Sequence, residues 1–149
     1  MAITNPMDFL RELAEQTLTD TTAELGKVQQ AYTLAATQLG QLESFELEYQ
    51  QQLRATVSGK GIPVADLLNR QSFIDSLGNV VKQQANQVQK CQNTVNETLL
   101  NWRHDKQRLN AFETLKSRAD DVRMLKENRQ EQKLMDEFAQ RACMGRELL

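Results

Sequence analysis

Aromatic residues make up only 5% of this 149-residue chain, which also has just two prolines, two cysteines and one histidine. So little aromatic bulk argues against a compact globule with a three-dimensional core. The longest apolar run falls well short of the roughly 18 residues that span a bilayer, and the N-terminus lacks the basic-then-apolar order of a signal peptide. The expectation is a cytoplasmic chain with no membrane insertion. Cys91 and Cys143 fall on one predicted helix, about 78 Å apart at about 1.5 Å per residue, which excludes a disulfide between them. No Cys/His spacing suits zinc, so no metal is expected, and Cys91 reads as a small apolar filler. His104 sits on an outward position, where a solvated side chain is the simple reading. Gly59-Lys60-Gly61 lacks the G-x-x-x-x-G-K-[ST] frame of a phosphate loop and reads as a turn. Asn96-Glu97-Thr98 is a glycosylation sequon only in form, since it lies in a helix of a cytoplasmic chain. With no nucleophile–base pair, the chain is expected to be neither an enzyme nor a cofactor carrier.

Charged residues make up 26% of the chain, net charge is −2 and mean hydropathy is −0.60. Residues 1–102 hold 7 Lys/Arg against 11 Asp/Glu, whereas residues 103–149 hold 11 against 9. The last third is therefore a different kind of surface, but its mixed signs do not suit nucleic acid.

The dominant feature is a pair of apolar stripes with a seven-residue period. Leu18, Leu25, Tyr32, Leu39, Glu46 and Leu53 share one heptad position; Ala14, Thr21, Val28, Ala35, Leu42 and Tyr49 share its partner. Farther on, Ile74, Val81, Val88, Val95, Trp102 and Leu109 run beside Leu77, Gln84, Cys91, Thr98, Asp105 and Phe112. Two such helices joined by a short break predict an all-α fold, a long antiparallel coiled-coil hairpin. It forms a single domain over residues 1–149. Asn5 caps helix one, Pro6 suits the first helical position and Asp8 favours the positive end of the dipole. Helix one runs from about 6 to 57. Two glycines and Pro63 break it over about 58–65, with helix resuming somewhere between Pro63 and Ser72. Helix two spans about 66–144, with Gly145 as its stop.

In an antiparallel pair the numbers of facing positions sum to a constant. A sum of 130 puts Leu53 beside Leu77, Tyr49 beside Val81, Leu42 beside Val88 and Ala35 beside Val95. It also places Glu46 and Gln84 in one polar layer, a device that fixes register in coiled coils. Leu25 beside Asp105 counts against this alignment. The same register leaves about 126–149 as an unpaired C-terminal overhang, on the order of 30 Å long.

Three segments carry more apolar or basic character than one seam needs. At the start of helix two, Phe73 and Val80 lie beside the seam residues Ile74, Leu77 and Val81; they are either a wide stripe covered by Val57 or the loop, or an exposed docking face. Trp102-Arg103-x-x-Lys106-Gln107-Arg108-Leu109-x-x-Phe112 combines core-like rings with a solvated basic face. On the overhang, Leu134, Phe138 and Arg141 recur at helical spacing with no partner in the same chain, which fits partner binding or a frayed end.

The Leu99-Leu100-Asn101-Trp102-Arg103 and Lys106-Gln107-Arg108-Leu109 run, Glu127-Asn128-Arg129 and the Met135 to Ala142 tail closely resemble the FliJ family of the bacterial flagellar type III export apparatus. The likeness covers nearly the whole chain, and the tail is its most specific part. The resemblance implies a non-enzymatic, stalk-like coiled coil that enters the ring of the hexameric flagellar export ATPase and promotes its assembly and activity. It also implies a link to the cytoplasmic domain of the export gate, handling of export chaperones, and peripheral association with the cytoplasmic face of the inner membrane. Carried over by motif, gate-binding residues would be Phe73, Leu77, Val80 and Gln84, the last two where the family carries alanine and histidine. Ring-binding residues would be Arg129, Met135, Phe138 and Arg141. The equivalent stalk of a virulence-type injectisome, and a scaffold or chaperone with no ATPase role, stand as alternatives. Two hairpins pairing into a four-helix bundle would also suit the wide stripe near Phe73.

Overall fold

A computed structural model of the chain describes residues 6–147. It contains two α-helices, α1 (Pro6–Ser58) and α2 (Val64–Glu147), packed as an all-α antiparallel hairpin. Pro6 is the first helical residue, where its missing N–H costs nothing. The expected Asn5 cap lies outside the described residues, as do the last two positions of the tail. Asp8 and Asp66 occupy first turns and Arg146 the last turn of α2, each with the sign that the helix dipole favours. Gly145 does not stop α2, which continues to Glu147. A single glycine costs about 1 kcal/mol in a helix and does not break one unaided.

Between the helices the chain reverses over 59–63. The Gly59 amide donates to the Ala55 carbonyl at 3.0 Å and the Gly61 amide to the Thr56 carbonyl at 3.1 Å, which satisfies two carbonyls of the last turn of α1. Gly61 has φ +70°, a conformation open to glycine and costly for side chains with a Cβ. The Pro63 carbonyl then accepts from the Leu67 amide at 3.0 Å, so α2 starts directly after the proline.

The chain packs as two compact units, one of residues 19–104, which includes the turn, and one that joins residues up to Leu18 with those from Asp105 onward. In the first, Ala35, Leu53, Ile74 and Thr98 are buried and the other stripe residues are half-buried, apart from Tyr49, which is exposed. The buried Thr98 hydroxyl donates to the Thr94 carbonyl at 2.8 Å and so is satisfied. In the second unit, Ala14 and Leu109 are buried. Beyond them the seam turns ionic, with Lys116 Nζ 3.2 Å from Asp8 and Arg11 Nη2 3.9 Å from Glu113. Both pairs are substantially exposed and contribute little beyond alignment.

The register differs from the expected sum of 130. In the first unit, facing positions sum to 122 at Tyr49/Phe73 and 124 at Thr22/Trp102. In the second they sum to 124 at Asp8/Lys116 and Arg11/Glu113. The pairing is thus displaced by one heptad. Glu46 and Gln84 consequently do not share a layer. Gln84 Nε2 reaches the Ala35 carbonyl at 3.0 Å and Gln38 Oε1 at 3.3 Å, while Glu46 lies against Gly78. The reason is geometric: a shift of seven residues brings the same stripes face to face, so the stripes cannot choose between the two registers. The turn chooses, and its centre near residue 61 demands the shorter one.

Candidate interaction surfaces

At the turn-proximal end of α2, positions 73, 77, 80 and 84 follow helical spacing, but they divide between two environments. Phe73 (50% exposed) and Val80 look outward. Leu77 is half-buried on the seam, and Gln84 is held across it by Ala35 and Gln38. Phe73 is not covered by Val57, which is itself exposed. It meets the Tyr49 ring edge-on, with centroids 5.0 Å apart and an interplanar angle of 66°. This geometry favours an aromatic pair. The two rings border a groove of about 410 Å3 whose lining includes Leu53, Arg70 and Ile74. Tyr49 and Arg70 were not legible as members of this surface, because the expected register set Tyr49 opposite Val81.

The Trp102–Phe112 run serves the seam. Half-buried Trp102 donates its indole N–H to Thr22 Oγ1 at 2.9 Å. In the other unit, Leu109 is buried and the Arg108 guanidinium lies 5.8 Å from the half-buried Phe112 ring. His104 is exposed. Cys91 is half-buried and accepts a weak contact from Gln87 Nε2 at 3.8 Å, while Cys143 is exposed. Among the described residues no three His, Cys, Asp or Glu side chains gather as a metal-ion site.

The tail is the larger surface. Every residue of α2 from Asp121 to Arg146 is exposed, a helical stretch of roughly 38 Å. Leu134, Met135 (73% exposed) and Phe138 (75% exposed) share one face, and Arg141, three residues past Phe138, flanks it. Arg129 is nine residues from Phe138, two and a half turns, and therefore stands on the opposite face. Lys126 and Lys133 stand with it, at spacings of three and four residues. The four ring-binding candidates thus fall on two faces, one apolar with a flanking cation and one mainly basic, where Asp136 lies among Lys126, Arg129 and Lys133. Residue counting along an uninterrupted helix reveals this division; the tail's composition alone does not.

A sequence model described as "Flagellar FliJ protein" matches residues 4–148, which takes in both surfaces. Two similar relatives carry that same name. One, from Salmonella typhi, is 38% identical over 144 residues, and one from Escherichia coli (strain K12) is 37% identical over 144 residues. Each alignment covers 97% of this chain and 97% of the relative. The chain belongs to the flagellar FliJ protein family. Membership supports a component of the flagellar export apparatus. Among the described residues of this FliJ-family chain, no helix is long and apolar enough to cross a membrane.

Proposed function

We propose that this FliJ-family protein is a non-enzymatic stalk of the flagellar type III export machine, with its C-terminal overhang inside the ring of the hexameric export ATPase. The observation that carries this reading is the exposed tail from Asp121 to Arg146, which presents Leu134, Met135 and Phe138 to solvent. Exposed large apolar residues in a row mark a surface that a partner covers. Docked in the pore, the Phe138 face would be desolvated against one part of the ring, with Arg141 at its rim. Arg129, Lys126 and Lys133 would face another part and interact mainly through charge. A helix whose faces differ in this way cannot contact six equivalent subunits equally. It would bias their nucleotide states by differential contacts, a coupling free energy that acts on ring assembly and on turnover.

The turn-proximal surface, with Phe73 and Val80 outward and Leu77 and Gln84 behind them, would bind the cytoplasmic domain of the export gate. The groove beside Phe73 supports that reading by offering an apolar recess with Arg70 at its edge. Export chaperones would be handled on the hairpin's outer faces, and the protein would act in the cytoplasm, peripherally associated with the inner membrane at the export apparatus.

The test is ATP hydrolysis by the cognate export ATPase, titrated with the full chain and with a version ending at Asp120. Stimulation by the full chain alone is the expected outcome. Equal stimulation by both would move the ATPase contact onto the paired helices, and stimulation by neither would leave a scaffold or chaperone without an ATPase role.

A further inference from the structure

The unit of residues 19–104 carries signals for two helix-pairing registers, and the structure uses one of them. In the observed register, facing positions sum to about 123, with Ala35 opposite Val88 and Leu42 opposite Val81. A sum of 130 keeps every inward stripe inward but changes the partners, to Ala35 with Val95, Leu42 with Val88 and Leu53 with Leu77. It also brings Glu46 and Gln84 into one layer, where a carboxylate can accept from an amide.

Such a shift requires a different start for α2. With α1 ending at Ser58, the second register needs α2 to begin at residue 72. Ser72-Phe73-Ile74-Asp75 has the form of a capping box at that position, Ser72 as the cap and Asp75 three residues on. This signal lies inside a helix in the structure, where Asp75 accepts instead from Gln71 Nε2 at 3.2 Å. The segment that would have to unwind, 64–71, is weakly held. Of its residues only Leu67 is half-buried, while Val64 is 72% and Leu68 64% exposed. Few buried contacts are the mark of a segment that opens at low cost.

We propose that this unit is a two-register element, in which unwinding of 64–71 to a helix start at Ser72 slides α2 past α1 by one heptad, about 10 Å. The observed state is held by the Trp102–Thr22 and Gln84–Ala35 hydrogen bonds, the Tyr49–Phe73 pair, the eight residues of helix ahead of Ser72 and, in the other unit, the exposed Asp8–Lys116 and Arg11–Glu113 pairs, which a slide of the continuous α2 also breaks. The second state is held by the Glu46–Gln84 layer and the Ser72 cap. Sliding by seven residues moves Tyr49 from the level of Phe73 to that of Val80 and so dismantles the aromatic edge of the groove. Any partner that grips the groove in one register therefore shifts the balance between the two. The equilibrium is a property of the hairpin itself, whatever docks on it.

Cysteine trapping in the full chain tests this, with Cys91→Ser and Cys143→Ser as background. Ala35→Cys with Val88→Cys reports the observed register. Ala35→Cys with Val95→Cys reports the second, since in the observed one those positions are about 10 Å out of line, beyond disulfide reach. Both pairs are expected to close within the monomer, the second more slowly. Adding Glu46→Leu should slow the second closure about tenfold and leave the first unchanged, because Gln84 then faces an apolar partner only in the slid state. If the Ala35→Cys/Val95→Cys protein stays reduced while the Ala35→Cys/Val88→Cys protein closes, the proposal is overturned. Closure of the second pair at a rate indifferent to Glu46→Leu overturns it too. If neither pair closes, nitroxides on Gln30→Cys and Ser76→Cys decide it. A distance population about 10 Å longer than the main one, reduced by Glu46→Leu, supports two registers; a single population rejects them.

Discussion

Replacing Phe138 with alanine separates what the tail does for the fold from what it does for a partner. The ring is 75% exposed, so the folded chain loses almost nothing when it goes. Alanine is also the better helix former, which leaves helicity unchanged or slightly raised. A docked Phe138 is another matter. A phenyl side chain offers about 200 Å2, of which roughly 150 Å2 is free here to be covered on docking. At about 25 cal/mol per Å2 that is close to 4 kcal/mol for complete burial. Alanine keeps part of that area, so a loss of about 2 to 3 kcal/mol is expected, or roughly 30- to 150-fold in half-saturating concentration. The assay is stimulation of the cognate export ATPase as a function of added protein, at two salt concentrations. The Phe138→Ala loss should be nearly independent of salt. The loss from Arg129→Ala, on the basic face, should shrink as salt rises, because an exposed cation is screened. A Phe138→Ala variant within twofold of the parent at both salt concentrations would refute the assignment of this face to the ring.

Gly26 and Gly40 both sit inside α1 with open space where a Cβ would stand, so Gly26→Ala with Gly40→Ala should stabilise the hairpin by about 1.5 to 2 kcal/mol. Thermal unfolding followed by circular dichroism checks this, and an unchanged or lower midpoint would contradict it. Gly61→Ala should act in the opposite sense, by about 1 to 2 kcal/mol, because alanine at φ +70° is strained whatever room surrounds it. Denaturant titration measures the loss, and its absence would mean that the turn readily adopts another conformation.

Much of this hairpin is legible in the chain, and the illegible part has a specific cause. The stripes name the inward residues well. All of them are buried or half-buried except Tyr49, because a 3.5-residue period leaves few other arrangements for two helices. Pro6 and the Gly59–Pro63 break are equally readable, since their backbone chemistry acts locally. Register is different in kind. It depends on a sum over both helices, and a one-heptad slide exchanges Val88 for Val95 opposite Ala35 with little change in apolar content. The polar intruders Glu46 and Gln84 point to one register and the proline-bounded turn to the other. The turn prevails because helix directly after Pro63 adds eight residues of backbone hydrogen bonding, and Gln84 finds acceptors in Ala35 and Gln38. Residue Phe73 illustrates the cost of the ambiguity. Its place beside the seam is readable from spacing, but spacing leaves open whether it is covered, and its pairing with Tyr49, and hence the groove beside it, follows only when the register is known. The tail escapes this problem, since an unpaired helix has no register to misread. Its faces follow from residue spacing alone, and spacing sets Arg129 half a turn from Phe138. The surface with the most direct functional reading is therefore the most legible in the sequence, while the surface nearest the turn depends on a choice that the stripes leave open.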